Sequence, residues 1–263
     1  MRLYYEIALR SFRRATTYRS AYIAGALTNA FFGALRSFVY IAIYGAGGSV
    51  AGFSLNDAIS YSWVMQSLIS IGAGWVIARG LMESIKTGDV VTDLARPWNF
   101  YGYWLSQSVG ECGFNLLVRG SLTYLIGVLY FRAHIPTPTQ ALSFAASITL
   151  ALVLSFAFSF IVNLSAFWLI DNNGVVMIAN IMLNFFSGFL IPIAFFPPAL
   201  ATIARLLPFQ AISGLPAQIL LGQLTGVALI QALLLQLFWC VTLVSAGLLL
   251  LRVAVRKVVI QGG

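Results

Sequence analysis

Apolar residues run through this chain in stretches too long for a soluble core helix, and they lack the strict alternation of a strand. Six such stretches stand out, at about 21–44, 58–78, 104–130, 142–169, 175–195 and 227–251. A helix needs ~20 apolar residues to cross the hydrocarbon core, whereas a barrel strand needs only ~10 alternating ones. The pattern therefore predicts six transmembrane helices. Three pieces of different character separate or precede them: an amphipathic 1–19, a charged 81–103, and an apolar but repeatedly broken 196–222.

Composition agrees with that reading. Of 263 residues, 60% are hydrophobic and 8% are charged, where a soluble domain carries about 25% charged residues. So few charges cannot cover a water-facing surface of this size. The fold class is an all-α integral membrane protein, one transmembrane domain over 1–263. The net charge of +8 could signal a nucleic-acid partner, but the basic residues line the ends of the apolar runs instead. With both termini inside, the inner side carries Arg2, Arg10, Arg13, Arg14, Arg19, Arg79, Lys86, Arg96, Arg252, Arg256 and Lys257, and the outer side only Arg132 and Arg205. The positive-inside rule then puts both termini in the cytoplasm. The first apolar run is longer than a signal-peptide core and has no small-residue cleavage site after it, so it reads as a retained span.

Residues 1–19 read as an interfacial helix. Arg2, Glu6, Arg10 and Arg13 share one face, and Tyr5, Leu9 and Phe12 another, with Tyr4, Ile7 and Ala8 beside them. Such a helix turns its arginines toward anionic headgroups. It serves either as an anchor for the first span or as a contact for a partner.

The 81–103 segment is a charged island between oily runs. Glu83, Asp89 and Asp93, with Glu111 just beyond, are four of the seven acidic residues. Leu81, Met82 and Ile85 form an apolar ridge on a short helix that should stop near Gly88, since glycine suits a helix end. Arg96 before Pro97 is biased toward extended backbone. The aromatic cluster Trp98, Phe100, Tyr101, Tyr103 and Trp104 suits a return to the membrane interface. The segment is a grip for something outside the bilayer, or a solvated connector.

Pro197, Pro198, Pro208, Gly214, Pro216 and Gly222 break 195–222 into pieces of about ten residues, too short to span. Irregular backbone at membrane depth must be covered by protein or line a wet cavity. An outer lid and a packing plug both satisfy this.

Polar residues inside the predicted spans are the candidates for chemistry. Glu111, Asn115 and Arg119 follow at i, i+4 steps and predict one polar ladder along a helix flank. Two central charges cost roughly 5–7 kcal/mol on insertion scales, and ten strongly apolar residues return only ~3–6 kcal/mol. That helix must face other helices or water. A structural ion pair and a functional site are both open. Asn180, Asn184 and Ser187, with Gly188, lie near one face of the fifth span. Asn29 and Arg36 accompany Gly25 and Gly33 in the first. These residues form either a helix seam of small and polar side chains or a translocation surface; Arg36 could also snorkel to the outer headgroups.

Several chemistries have no residues to carry them. The only Lys-Thr pair, Lys86-Thr87, follows Ile85 rather than glycine, so no phosphate-binding Walker loop is present. There is no Gly-x-Ser-x-Gly elbow, no zinc-binding His/Glu motif, and no metal site. His134 stands alone in a Pro-rich outer loop, and Cys112 and Cys240 fall inside spans, unsuited to a disulfide framework. No acidic row for a proton relay and no obvious internal repeat is visible.

The whole arrangement resembles the membrane subunit of type-2 ATP-binding-cassette exporters, in the bacterial branch of daunorubicin-type and other efflux permeases. Three features carry the resemblance. The first is the basic amphipathic helix leading into span 1. The second is the run Ile85-Lys86-Thr87-Gly88-Asp89 with Leu94-Ala95-Arg96-Pro97-Trp98-Asn99, which looks like that branch's "Gly-Asp/Glu-Leu … Leu-x-Arg-Pro-x-Asn" stretch. The third is Ser187-Gly188-Phe189-Leu190-Ile191-Pro192 followed by the Pro197-Pro198 and Leu207-Pro208-Phe209 breaks. Val90 replaces the usual leucine, a mild departure.

The resemblance implies a non-catalytic permease in the bacterial inner membrane, acting as a homodimer or heterodimer. Two ABC ATPase subunits would bind ATP and Mg; this chain would bind no cofactor. Glu83, Lys86, Gly88, Asp89, Asp93, Arg96 and Pro97 would form the coupling element. Asn29, Arg36, Glu111, Asn115, Arg119, Asn180, Asn184 and Ser187 would line the path or an intramembrane network. The alternatives are an ATP-independent transporter or channel using Glu111 and Arg119, and an intramembrane enzyme or scaffold, against which the lack of a paired catalytic constellation counts.

Overall fold

In the computed structural model the chain is described over residues 2–17, 19–45, 52–69, 79–169 and 171–257. Long apolar runs become long helices there, and no strand occurs among the described residues. In chain order the helices are α1 (Arg2–Thr17), α2 (Arg19–Tyr44), α3 (Leu55–Ser67), α4 (Arg79–Thr87), α5 (Val90–Ala95), α6 (Phe100–Phe114) and α7 (Ser121–Phe131). They continue with α8 (Pro138–Leu164), α9 (Asn173–Phe186), α10 (Pro198–Leu206), α11 (Pro208–Ile212), α12 (Gly214–Leu220) and α13 (Gly226–Ala254). A π-helical turn, Asn115–Gly120, joins α6 to α7 without a break.

Among the described residues, four helices are long and apolar enough to cross a bilayer: Tyr22–Tyr44, Phe100–Phe131, Pro138–Phe167 and Gly226–Lys257. They coincide with predicted spans one, three, four and six. The second predicted span, 58–78, lies only partly in α3; residues 70–78 are outside the described residues. The fifth, 175–195, is shorter as a helix than the sequence pattern suggested. α9 has 14 residues, which at 1.5 Å each is about 21 Å. It stops because Gly188 takes φ +82, a left-handed conformation that ends helices. The apolar run continues past that point, but as irregular chain and short helices.

α8 is the hub of the bundle. It packs on α13 along its length, and on α4, α6, α9, α11 and α12 in turn. One apolar cluster at its C-terminal end gathers Leu81, Val90, Phe100, Tyr101, Trp104, Phe156, Phe160 and Leu164. Another, nearer its start, joins it to α3 and α12 through Tyr61, Val64, Leu68, Ile148 and Ala217. Beside the second cluster, Ser147 Oγ donates to Gln236 Oε1 (2.9 Å), and Gln236 Nε2 donates to the Ala211 carbonyl (2.8 Å). That pairing ties α8, α13 and α11 together where unsatisfied polar groups would be expensive. α11 and α12 are almost wholly buried, so that part of the broken apolar segment is covered by protein, whereas α10 keeps Ile203 and Leu206 exposed.

Small residues set two close helix approaches. Trp63 of α3 fills the space between α2 and α7: a Cβ at Gly33 would come within 2.9 Å of its ring, and one at Gly127 within 2.5 Å. Its indole N–H donates to Ser37 Oγ (3.0 Å). On the other side, α1 runs alongside α6 in the same direction, Tyr4 beside Asn99 and Phe12 beside Phe114, with ring centroids 5.4 Å apart. A Cβ on Gly110 would meet the Ala8 carbonyl oxygen at 2.1 Å. The amphipathic segment therefore forms the expected helix, packed on α6 through a small-residue groove of the kind that lets membrane helices approach. Tyr4, Ala8 and Ser11 face α6, and Tyr5 is 65% exposed.

Candidate coupling surface and intramembrane polar network

α4 and α5 form a compact two-helix hook. The ridge foreseen from Leu81 and Ile85 packs into the cluster at the end of α8, with Leu81 fully buried and Val90 of α5 beside it. Gly88 takes φ +84, ending α4 where the sequence placed its stop. Thr87 Oγ1 donates to Asp89 Oδ2 (2.7 Å), and Ser84 Oγ donates to Asp93 Oδ2 (3.3 Å). The hook is thus closed by its own side chains. Arg96 is extended (φ −75, ψ 150) before Pro97, as proline requires. Its guanidinium lies 4.9 Å from the Trp98 ring centre, and Trp98 stacks on Tyr103 (4.9 Å, 6°). Asn99 caps α6 by accepting from the Gly102 N–H (2.7 Å).

Of the residues expected to couple, Glu83, Gly88, Asp89, Arg96 and Pro97 are exposed, while Asp93 is half-buried against Ser84. Lys86 is drawn away from its neighbours to Asp171, in the α8–α9 connection, at 3.8 Å. The Asp171 carboxyl is held below the usual range, first by the Asn173 N–H that donates to it and then by the Lys86 ammonium. Sequence reasoning passed over Asp171, although a lone acid between two apolar runs is a natural partner for a lysine on the same side.

The intramembrane candidates do not form one network. The ladder Glu111–Asn115–Arg119 is split. Asn115 Nδ2 donates to the Glu111 main-chain carbonyl (3.0 Å), Glu111 is exposed, and no ion pair joins it to Arg119 among the described residues. The reason is the π-helical Asn115–Gly120, whose wider i→i+5 turn breaks the i, i+4 register on which the ladder depended. Arg119 Nη2 instead donates to Asn29 Oδ1 of α2 (2.9 Å), and Asn29 Nδ2 donates to the Gln66 carbonyl of α3 (3.1 Å). Gly25 makes room for the guanidinium, since a Cβ there would lie 2.6 Å from Arg119 Cζ.

Arg36 belongs to a second place. Its Nη1 donates to the Phe189 carbonyl (2.9 Å) and it sits 4.7 Å over that ring, so it faces protein rather than headgroups. Tyr61 OH donates to the neighbouring Gly188 carbonyl (3.1 Å), and Ser187 is buried beneath. Two carbonyls just past the end of α9 thereby find donors. Asn180 and Asn184 occupy a third place along α9, where Asn184 Nδ2 donates to the Asn180 carbonyl (2.8 Å). Their own amide oxygens are buried without a partner among the described residues. Gln66, Ser147 and Gln236 are further buried polar residues that spacing alone did not single out; an isolated amide in a long apolar run is the available signal. Among the described residues no cluster of His, Cys, Asp or Glu could hold a metal, and Cys112 and Cys240 are both buried and not joined in a disulfide.

Compared with known proteins, the chain matches no curated protein and no solved structure. It does match, over residues 31–262, the family described as ABC-2 family transporter protein. That stretch takes in α2 from its middle onward, the α4–α5 hook, the broken α9–α12 region and α13. With its long apolar helices and a matched region covering nearly the whole sequence, the chain belongs to the ABC-2 transporter family as a multi-pass membrane permease, of the kind that partners an ABC ATPase.

Proposed function

We propose that this chain is one half of the membrane conduit of an ATP-driven exporter, energised by a separate ATPase that grips the α4–α5 hook. The observation that carries the reading is the division of labour within the hook. Its apolar side is anchored to α8 through Leu81 and Val90, while Glu83 and Asp89 are presented outward. A push on the exposed side is therefore transmitted to the central helix of the bundle rather than absorbed by a loose loop. The Lys86–Asp171 contact extends that connection to the α8–α9 turn.

In this reading the hook faces the cytoplasm, both termini lie inside, and the membrane is the bacterial inner membrane. Two permease copies and two ATPases make the working unit. The Gly88-Asp89 and Arg96-Pro97 motifs support the daunorubicin-type efflux branch, and an amphipathic or apolar cargo suits the largely apolar spans. ATP and Mg reside in the partner, and this chain supplies the path by switching between inward- and outward-facing forms.

The test is a pull-down of the tagged chain from native membranes, with E83K/D89K beside the wild type. We expect the wild type to bring down a Walker-motif ATPase, and the charge-reversed variant to lose it while still inserting and eluting as a single species. Undiminished ATPase capture by E83K/D89K would remove the coupling role.

A further inference from the structure

A basic cleft of about 430 Å³ opens between α1 and the start of α6, and of the residues expected to couple only Arg96 lines it. Arg10 and Arg14 of α1 line one wall, and Arg96 lines the other; Leu3 and Ile7 supply an apolar flank. No acidic side chain lines the cleft, and none of the three arginines has an ion-pair partner among the described residues. Arg96 is braced against the Trp98 ring, so its guanidinium is held in place without a counter-ion. Three arginines lining one cleft repel each other less when an anion sits among them. Guanidinium forks match phosphate oxygens in pairs.

We infer that this cleft is a binding site for the phosphate headgroup of an anionic membrane phospholipid. The mixed lining argues for a lipid rather than a free anion: a phosphate alone would use the arginines and leave Leu3, itself 46% exposed, and Ile7 with nothing to cover. A phospholipid places its phosphate among the arginines and its glycerol and first methylenes against the apolar flank. The site lies at the same end of the bundle as the α4–α5 hook, since Arg96 immediately follows α5. That end is where an anionic leaflet attracts juxtamembrane arginines, given the orientation proposed above. The bound lipid would clamp α1 to the segment joining α5 and α6.

The experiment uses the purified full-length permease without any ATPase, so its outcome is independent of the coupling role. Phosphatidylglycerol and phosphatidylcholine are offered in mixed micelles, and lipid retained by the intact protein is counted by native mass spectrometry. We expect wild type to retain phosphatidylglycerol preferentially, and R10Q/R14Q to weaken that retention by about tenfold or more. R252Q/R256Q, which removes equal charge from the end of α13, should retain it as wild type does. Inorganic phosphate at matched concentration should not displace the lipid. Should R10Q/R14Q fail to elute as a single species, R14Q alone is read by the same assay, with a partial loss expected. Unchanged preference in the Arg10/Arg14 variants, equal loss in R252Q/R256Q, or displacement by inorganic phosphate would each overturn the site.

Discussion

Arg36 of α2 donates to the main-chain carbonyl of Phe189, 153 residues away in sequence, at 2.9 Å, and lies over that residue's ring at 4.7 Å. The contact ties the first long helix to the point where α9 gives way to irregular chain. Interhelical hydrogen bonds in membrane proteins average about 0.6 kcal/mol, with about 1.7 kcal/mol as the upper end, and a cation over an aromatic ring adds about 0.5–2 kcal/mol. Arg36→Met should therefore lower stability by about 1–3 kcal/mol and open residues 187–192 to protease. Arg36→Lys should recover part of the loss by keeping the charge and a donor. Unfolding midpoints in detergent and limited proteolysis read both effects; an unmoved midpoint in Arg36→Met would show that the tie holds nothing.

Trp63 is the wedge that spaces α2, α3 and α7. It is fully buried and faces Gly33 and Gly127. Trp63→Ala leaves a large void and removes the indole N–H that Ser37 Oγ accepts, for an expected loss of about 3–5 kcal/mol. Gly127→Val fails for the opposite reason, because its side chain has no room beside the ring. The pair Trp63→Ala/Gly127→Val should be less unstable than the sum of the two single changes. Strict additivity in denaturation experiments would rule out the proposed packing.

The fit of α1 on α6 depends on Gly110. A side chain there would strike the Ala8 carbonyl, and backbone cannot step aside as a flexible side chain can. Gly110→Leu should release α1 while leaving the α8–α13 core intact. Trypsin should then cut after Arg10, Arg13 or Arg14 markedly faster, with little change in the global melting temperature. Equal cleavage rates in variant and wild type would mean that α1 is not held by this contact.

The Lys86–Asp171 contact should respond to acid. The Asp171 carboxyl titrates below its usual range in the folded protein, so its contribution is present above the unfolded value near 3.9. It is lost as pH falls through the lower, folded value. Between pH 5 and 8 the contact should hold unchanged. Asp171→Asn should speed amide exchange in α4 at neutral pH, and the difference between variant and wild type should shrink as the solution is acidified below the carboxylate range. A difference that persists in acid would assign the effect to something other than the charge.

Much of the design was legible in the chain itself. The four long spans, the helical start, the glycine stop at Gly88 and the extended Arg96 follow from local rules: hydrocarbon thickness, φ > 0 at glycine, and the clash before proline. These rules need only neighbours in sequence, so sequence suffices for them. Tertiary structure decided what those rules cannot reach. A π-helical turn at Asn115–Gly120 sends Arg119 to Asn29 rather than toward Glu111, because side-chain direction depends on accumulated helix phase and one wider turn shifts it. α9 ends at Phe186 although its apolar run continues, because Gly188 turns the chain and Arg36 and Tyr61 hold the carbonyls of Phe189 and Gly188 that follow. Gln236 finds Ser147 and Ala211, and Gly110 finds Ala8, only once distant segments are packed. In a membrane, apolar helices have little hydrophobic reason to prefer one neighbour over another; close backbone approach and scarce polar pairs decide it, and both are properties of the assembled bundle.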